Sequence, residues 1–312
     1  MVQVAIQIVS WNCREVLREC LYSLRQNLPQ VDLEIIVIDN ASSDSTSEMI
    51  KKEFPEIRFS TQSRNLGFAK ANNLALSMTG AEYLFILNPD TRIFPGTLEA
   101  LSDFLDKNPD VGLAAPQIVD ENDVIVSSVF RFPSIWNYWI EHSLLAKGLE
   151  RIRRRKRHEK STRAPREIDW ATGAAFLARR SALEGEPLFD ERFFLYSEDA
   201  DLCLRLKKNG WKRRLVPASR VCHLHRQSSK KARYFTIIQL FVSMDLYFQK
   251  HKSPVTRFLL RSFICVDMIL RLILIRIYPG KESFQIDNNQ RKKAYREILR
   301  RLNPLYRGKT LE

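Results

Sequence analysis

The sequence predicts an α/β protein: a parallel sheet with helices on both faces, followed by a helical extension. Three observations predict it. Short aliphatic runs alternate with helix-patterned stretches through the first half of the chain, which is the signature of repeated βα units. Polar clusters stand where several of those runs end. From residue 232 onward long apolar-rich helical patterns replace the strand patterns.

The elements follow in order. Strands are expected at 2–9, 33–38, 57–60, 83–87 and 111–115, with helices at 13–27, 44–53, 67–79 and 96–107 between them. In such a sheet ligands sit beyond the carboxyl ends of the strands. Ser10, Trp11 and Asn12 follow the first run, Asp39 and Asn40 the second, and Asn88, Pro89 and Asp90 the fourth. Residues 130–146 are dense in aromatics and read either as a buried helix or as a segment resting on lipid. Residues 147–166, KGLERIRRRKRHEKSTRAPR, are strongly basic with no apolar face and read as a loop. Core-like sequence returns at 168–183, and 212–225 reads as two short strands around Pro217. Two long helices joined near Ser253 and Pro254 come next. They read equally as a hairpin covering the domain and as a surface for membrane or partner. The tail 287–312 is polar and is expected to be loosely held. The expected organisation is a domain at 1–228 and a helical region at 229–312.

The 312 residues are 45% hydrophobic, enough for one large domain and an appendage, and carry a formal charge of +14. That charge implies an anionic partner: nucleic acid, a phospholipid surface or a phosphorylated substrate. Five cysteines, odd in number and scattered, give no disulfide framework and favour a reducing cytosol. VQVAIQIV reads as a first buried strand rather than a signal-peptide core. The longest apolar stretch, 255–278, is broken by Arg257, Arg261, Asp267, Arg271 and Arg276, so no membrane span is expected.

The chemistry-bearing residues lie at strand ends. The first glycine is Gly67, which removes a glycine-rich dinucleotide or P-loop motif from the first strand. Asp39 at a strand end can accept hydrogen bonds from a base or a ribose hydroxyl, whereas Ser42, Ser43 and Asp44 read as turn and cap formers. Asp90, just past a buried strand, can hold a divalent cation against a diphosphate. Cys222, His223 and His225 lack the spacing of a zinc site. One histidine joining Asp90 gives a mixed oxygen and imidazole shell that suits Mn²⁺ better than Mg²⁺. Glu198 and Asp199 open a helix-patterned stretch, LFDERFFLYSEDADLCLRLKKNGW, where acidic residues are favoured by the free N–H groups of the first turn.

Five segments in order carry a resemblance: VIDNASSDST, NLGFAKANN, LNPDT, WATGAAFLARR and FDERFFLYSEDADLCLRLKKNGW. Together they resemble the family 2 glycosyltransferases of GT-A fold, most closely the bacterial rhamnosyltransferase-like members, over roughly residues 3–228. The resemblance implies a mixed GT-A sheet and an inverting transfer from a nucleotide diphosphate sugar to a glycan or lipid-linked glycan. It implies Asp199 as base and Glu198 as its companion, also facing the acceptor. It places Ser10, Asn12, Asp39, Asn65, Gly67, Asn72, Asn88 and Asp90 on the donor, and Trp170 and Gly173 on the acceptor side. Asp90 and His223 would hold Mn²⁺ or Mg²⁺, His223 being preferred to His225 from its position relative to Ser228. Asn88 departs from the family pattern by standing where many relatives have an aspartate, and Arg226 and Gln227 stand where relatives often have glycine. The basic loop and apolar helices lead to an expectation of a cytoplasmic enzyme, peripheral on an anionic membrane surface, with no nucleic acid partner. A nucleic-acid-binding protein would account for the charge but not for the acidic strand ends, which repel phosphate. A sugar nucleotidyltransferase would need the missing glycine loop.

Overall fold

The computed structural model describes residues 3–27, 32–142, 164–224, 233–277 and 288–303. Most of the basic stretch, together with His225, Arg226, Gln227 and Ser228, lies outside the described residues. The chain divides into two compact units. The first comprises Met1–Phe132, Glu159–Phe194 and Glu198–Ser228; the second comprises Pro133–His158, Leu195–Ser197 and Ser229–Glu312.

The first unit opens with β1 (Val4–Ser10), α1 (Arg14–Asn27), β2 (Leu33–Asp39), α2 (Thr46–Glu53), β3 (Arg58–Thr61), α3 (Phe68–Ser77) and β4 (Tyr83–Leu87). β5 (Thr91–Ile93), α4 (Thr97–Lys107), β6 (Val111–Val119) and β7 (Val129–Phe130) follow. After α5 (Ile135–His142), which belongs to the second unit, come β8 (Arg166–Glu167), β9 (Trp170–Ala171), β10 (Ala175–Arg179), α6 (Glu198–Lys208) and β11 (Lys212–His223). β1 shows why both faces are covered. Val4, Ile6 and Ile8 join Leu17, Leu21, Leu101 and Leu105 of α1 and α4 in one core. Ala5 and Val9 join Ala69, Ala71 and Ala75 of α3, with Leu202 and Leu206 of α6, in the other. Alternate residues of a strand point to opposite faces, so a run buried throughout needs a layer on each side.

The sheet order is β3-β2-β1-β4-β10-β6-β11-β5. β3, β2, β1 and β4 are parallel, and β10 runs antiparallel between β4 and β6. The sheet is therefore mixed, with a parallel half of the kind the alternation predicts. It is also not flat. β4 and β5 are four strand spacings apart, roughly 19 Å in a flat sheet. Yet Leu87 and Thr91 are four Cα steps apart, a reach of at most about 14 Å. The far half must curl toward the carboxyl end of β4, and this brings Asp90 to the end of β11. The two strands expected at 212–225 form one, with a register shift between Val216 and Arg220. Pro217 interrupts the ladder there because it has no N–H to donate.

The second unit contains α5, α7 (Arg233–His251), α8 (Pro254–Ile277) and α9 (Asn288–Leu302). Within the tail, Asn288–Leu302 is a packed helix and not the loose segment its composition predicts. Ala294, Tyr295, Ile298 and Leu302 of α9 are buried, a stripe at helical spacing within an otherwise charged segment. α5 puts Tyr138 edge-on to Phe241 of α7. Among the described residues no helix is long and apolar enough to cross a membrane.

Candidate active site

Strand register builds the site. Ser10 lies opposite Asp39, Asp39 opposite Thr61, and Ile8 opposite Leu87. β10 starts at Ala175 opposite Leu87. The carboxyl ends of β2, β1 and β4 thus share one edge with the amino end of β10. The Asn88 N–H donates to Ala174 O at 2.9 Å across that edge.

On the β2 side, the buried Asp39 carboxylate accepts from the Ser42 N–H and the Ser47 hydroxyl, each at 3.2 Å. Asn12, in the left-handed region at φ 50°, receives the Ser43 N–H at 2.8 Å and gives its own N–H to Ser42 Oγ at 2.9 Å. The loops after β1 and β2 are therefore laced together. Asn40 was not among the expected site residues. It is buried and reaches across the edge, donating to Gly67 O at 3.0 Å and accepting from the Leu66 N–H at 3.2 Å. The signal for it was its place beside Asp39 at the strand end. Asn65 closes a turn onto the Gly67 N–H at 2.9 Å. Gly67 itself has φ 82°, and a Cβ there would lie 2.5 Å from Phe194 O. That carbonyl accepts the Phe68 N–H at 2.7 Å. Asn72 is not brought to the edge: it is wholly buried and donates to Phe68 O at 2.9 Å, with Oδ1 lacking a partner. It holds the first turn of α3.

On the β5 side, Asp90 Oδ1 and His223 Nε2 lie 3.0 Å apart. Pairing of His223 with Thr91 and donation from the Leu224 N–H to Asp90 O at 2.9 Å fix both backbones. The two atoms hydrogen-bond to each other, and a hard oxygen beside an imidazole nitrogen is a donor set that fits a divalent cation of intermediate softness. Among the described residues, no cluster of three or more ligating side chains forms.

Glu198 and Asp199 open α6, preceded by two consecutive left-handed residues, Tyr196 at φ 72° and Ser197 at φ 66°. Such backbone is costly for non-glycine residues and persists only where surrounding structure holds it. Asp199 Oδ2 accepts the Gly173 N–H at 2.9 Å and Oδ1 the Ala200 N–H at 2.8 Å. A Cβ on Gly173 would lie 3.2 Å from the Phe68 ring, so only glycine lets this loop approach α3 without displacing that side chain. Burial raises the Asp199 carboxyl to about 6 against the pull of those N–H groups. Glu198 is pushed well above its ordinary range by burial and then by the neighbouring Asp199 charge, and among the described residues its Oε2 has no partner. Asp201 is buried in an ion pair with Arg205 at 3.0 Å. Trp170 stacks on Phe130 at 5.0 Å between ring centroids and donates its indole N–H to Arg131 O at 2.8 Å. It stands on β9, which packs against α6.

A mixed sheet with acidic and amide side chains along one edge, and a buried carboxylate at a helix start beside it, defines a GT-A-like protein. The family model for glycosyl transferase family 2 matches residues 5–185. The chain belongs to that family. It is 30% identical over 204 residues to the N-acetylglucosaminyl-diphospho-decaprenol L-rhamnosyltransferase of Mycobacterium tuberculosis, covering 61% of this chain and 66% of that protein. The chain thus spans just under two thirds of that relative's length. It is 26% identical over 228 residues to rhamnosyltransferase WbbL of Escherichia coli, covering 70% of this chain and 83% of that one. Among solved structures, GalNAc-T7 with UDP, GalNAc and Mn²⁺ superposes with TM-score 0.59 at 15% identity, over 96% of this chain and 54% of that one. Staphylococcus aureus TarS gives 0.52 at 16%, over 98% and 49%. These two likenesses establish the fold.

Proposed function

We propose that the protein transfers a sugar, rhamnose being favoured by the relatives, from a nucleotide diphosphate donor to a hydroxyl of a lipid-linked glycan, with inversion. The observation that carries this reading is Asp199, anchored between the Gly173 and Ala200 N–H groups and raised to about 6. A carboxylate tuned upward is a stronger base near neutral pH while remaining mostly ionised. In this reading Asp199 takes the acceptor hydroxyl proton as the oxygen attacks the anomeric carbon, and the carbon–diphosphate bond breaks on the opposite side. Glu198 orients the acceptor. Asp39, with the loops fixed by Asn12, Asn40 and Asn65, receives the nucleoside. Asn88 and Ser10 complete the donor floor, while Trp170 and Gly173 border the acceptor.

Asp90 and His223 would hold Mn²⁺ or Mg²⁺. A cation bound there supplies positive charge for the departing diphosphate. The net charge of +14 supports work at the cytoplasmic face of an anionic membrane, where lipid-linked acceptors would be met. The charge alone would suit nucleic acid, but the acidic strand ends at Asp39 and Asp90 repel phosphate, and the glycine loop of a nucleotidyltransferase is missing after the first strand. A donor-hydrolysis screen across nucleotide sugars, followed by assignment of the anomeric configuration of the product by NMR, tests the proposal. Retention of configuration would sink the single displacement, and failure to turn over any nucleotide sugar with any lipid-linked acceptor would sink the substrate class.

A further inference from the structure

α8 is built inside out. All its charged residues but Arg276, which is exposed in the last turn, turn into the second unit: Arg257 and Arg261 both fork onto Asp245 at 2.7–2.9 Å, and Arg271 bonds the buried Asp267 at 2.7 Å. Arg257 and Arg261 are therefore engaged inside the second unit. What α8 turns outward is apolar. Phe258, Leu259, Phe263, Val266, Ile269 and Ile273 are 44–56% exposed, and the row runs from Val255 at 69% to Ile277 at 60%. At 100° per residue these side chains cover an arc of roughly 140°, and at 1.5 Å per residue a length of about 33 Å.

We propose that α8 lies in the plane of an anionic lipid leaflet, with this outer face in the acyl region. The proposal deepens the membrane reading given under the proposed function and rests on it. Two observations select lipid over a second protein chain. The first is the width of the face. One partner helix covers the narrow stripe of a coiled-coil seam, whereas a roughly 140° arc whose single charged residue, Arg276, stands at its margin in the last turn calls for an apolar medium that lets that side chain reach the interface. The second is charge. α9, which packs on α7 and α8, holds six basic residues against one acidic, counted as Arg291, Lys292, Lys293, Arg296, Arg300 and Arg301 against Glu297. Lys293, Arg296 and Arg300 are exposed. Packed helices lie about 8–10 Å apart, comparable with the screening length of about 8 Å at physiological salt. The α9 charges therefore sit within reach of the potential of a leaflet that α8 touches. The same helix does not span; its polar side is occupied by the second unit itself, as expected for an in-plane helix.

The test uses the full chain and vesicles of phosphatidylcholine with and without phosphatidylglycerol. Val266→Glu/Ile273→Glu places two charges on the outer face at positions whose side chains touch solvent. Affinity for the anionic vesicles should fall at least about tenfold, with the circular dichroism spectrum and donor hydrolysis unchanged. A second variant, Lys293→Gln/Arg296→Gln, should weaken binding and flatten its salt dependence. If the wild type binds anionic vesicles and the double glutamate variant binds equally well, the α8 assignment is overturned while the membrane reading stands. If the wild type binds no vesicle at low salt, both fall and the transferase assignment is untouched. A wild-type dimer that the glutamates convert to monomer, without vesicle binding by either, would assign the face to a second copy and overturn the proposal.

Discussion

Asp199 and Glu198 share the first turn of α6, yet only Asp199 has backbone N–H partners on both oxygens. That difference sets the order of ionisation. Each N–H bond favours the charged carboxylate, so Asp199 is held to about 6, whereas Glu198 is raised by burial and by Asp199 itself. Asp199 must be ionised to accept a proton. The transfer rate at limiting substrate should therefore fall as pH drops through about 6, with a slope of one proton. Asp199→Asn should lower transfer by ~10²–10⁴-fold, remove that limb of the profile and leave donor affinity nearly intact. Stability should respond in the opposite sense at Glu198. Its folded pKa lies above the unfolded value, so its contribution is most favourable below the unfolded value and is lost as pH rises through the folded one. Glu198→Gln never ionises. It should raise Tm at pH 7.5 and leave it unchanged near pH 4, while lowering activity. An equal Tm at both pH values would show that the Glu198 charge costs the fold nothing. At Asp90, alanine substitution should abolish donor affinity, and excess chelator should reproduce the loss in the wild type; full activity in chelator would remove the cation from the reading.

At the scale of elements, the turn between β3 and α3 depends on one backbone position. Gly67→Ala brings a Cβ to 2.5 Å of Phe194 O at a φ of 82°, where an L side chain costs about 1–3 kcal/mol. Calorimetry should record a Tm of the first unit lower by several degrees, since each kcal/mol moves a unit of that size by about 2–4 °C. In the parallel half of the sheet, β1 and β4 were legible in the sequence because strands buried on both faces read as largely apolar runs. The crossover strands were not. β7, β8 and β9 are two residues each and β5 three, too short to carry a period. β10 was legible as core sequence, but nothing in AFLAR encodes its antiparallel course between β4 and β6. α9 carried its buried stripe in plain sight, under a composition that reads as solvated. In the site, Asp39, Asp90, Glu198 and Asp199 were legible as acids at element ends. The role of Asn40 was not, because its partners, Leu66 and Gly67, are more than twenty residues away. The burial of Asn72 was hidden for the converse reason: its amide N–H bonds within the helix that the polar-looking motif begins.

At the scale of the whole molecule, two sequence features point to a membrane by different physics, and they are separable. The run Arg153, Arg154, Arg155, Lys156 and Arg157 lies outside the described residues and contributes charge alone. The outer face of α8 contributes apolar surface. Basic residues near an anionic leaflet are worth about 1 kcal/mol each before screening, and that attraction decays within a Debye length that shortens as salt rises. Apolar burial is not screened. A salt titration of vesicle binding therefore assigns each part. Replacing the five basic residues by glutamine should weaken binding strongly at low salt and little at high salt, giving a flatter plot of log affinity against log salt. Val266→Glu/Ile273→Glu should lower the whole curve and preserve much of its slope. Binding by one weak anchor is marginal and reversible, and stable residence takes two signals, so combining the changes should abolish sedimentation at every salt concentration. Identical slopes for the wild type and the glutamine variant would mean that the basic run never approaches the leaflet, and the attraction would then have to come from elsewhere in the +14 charge.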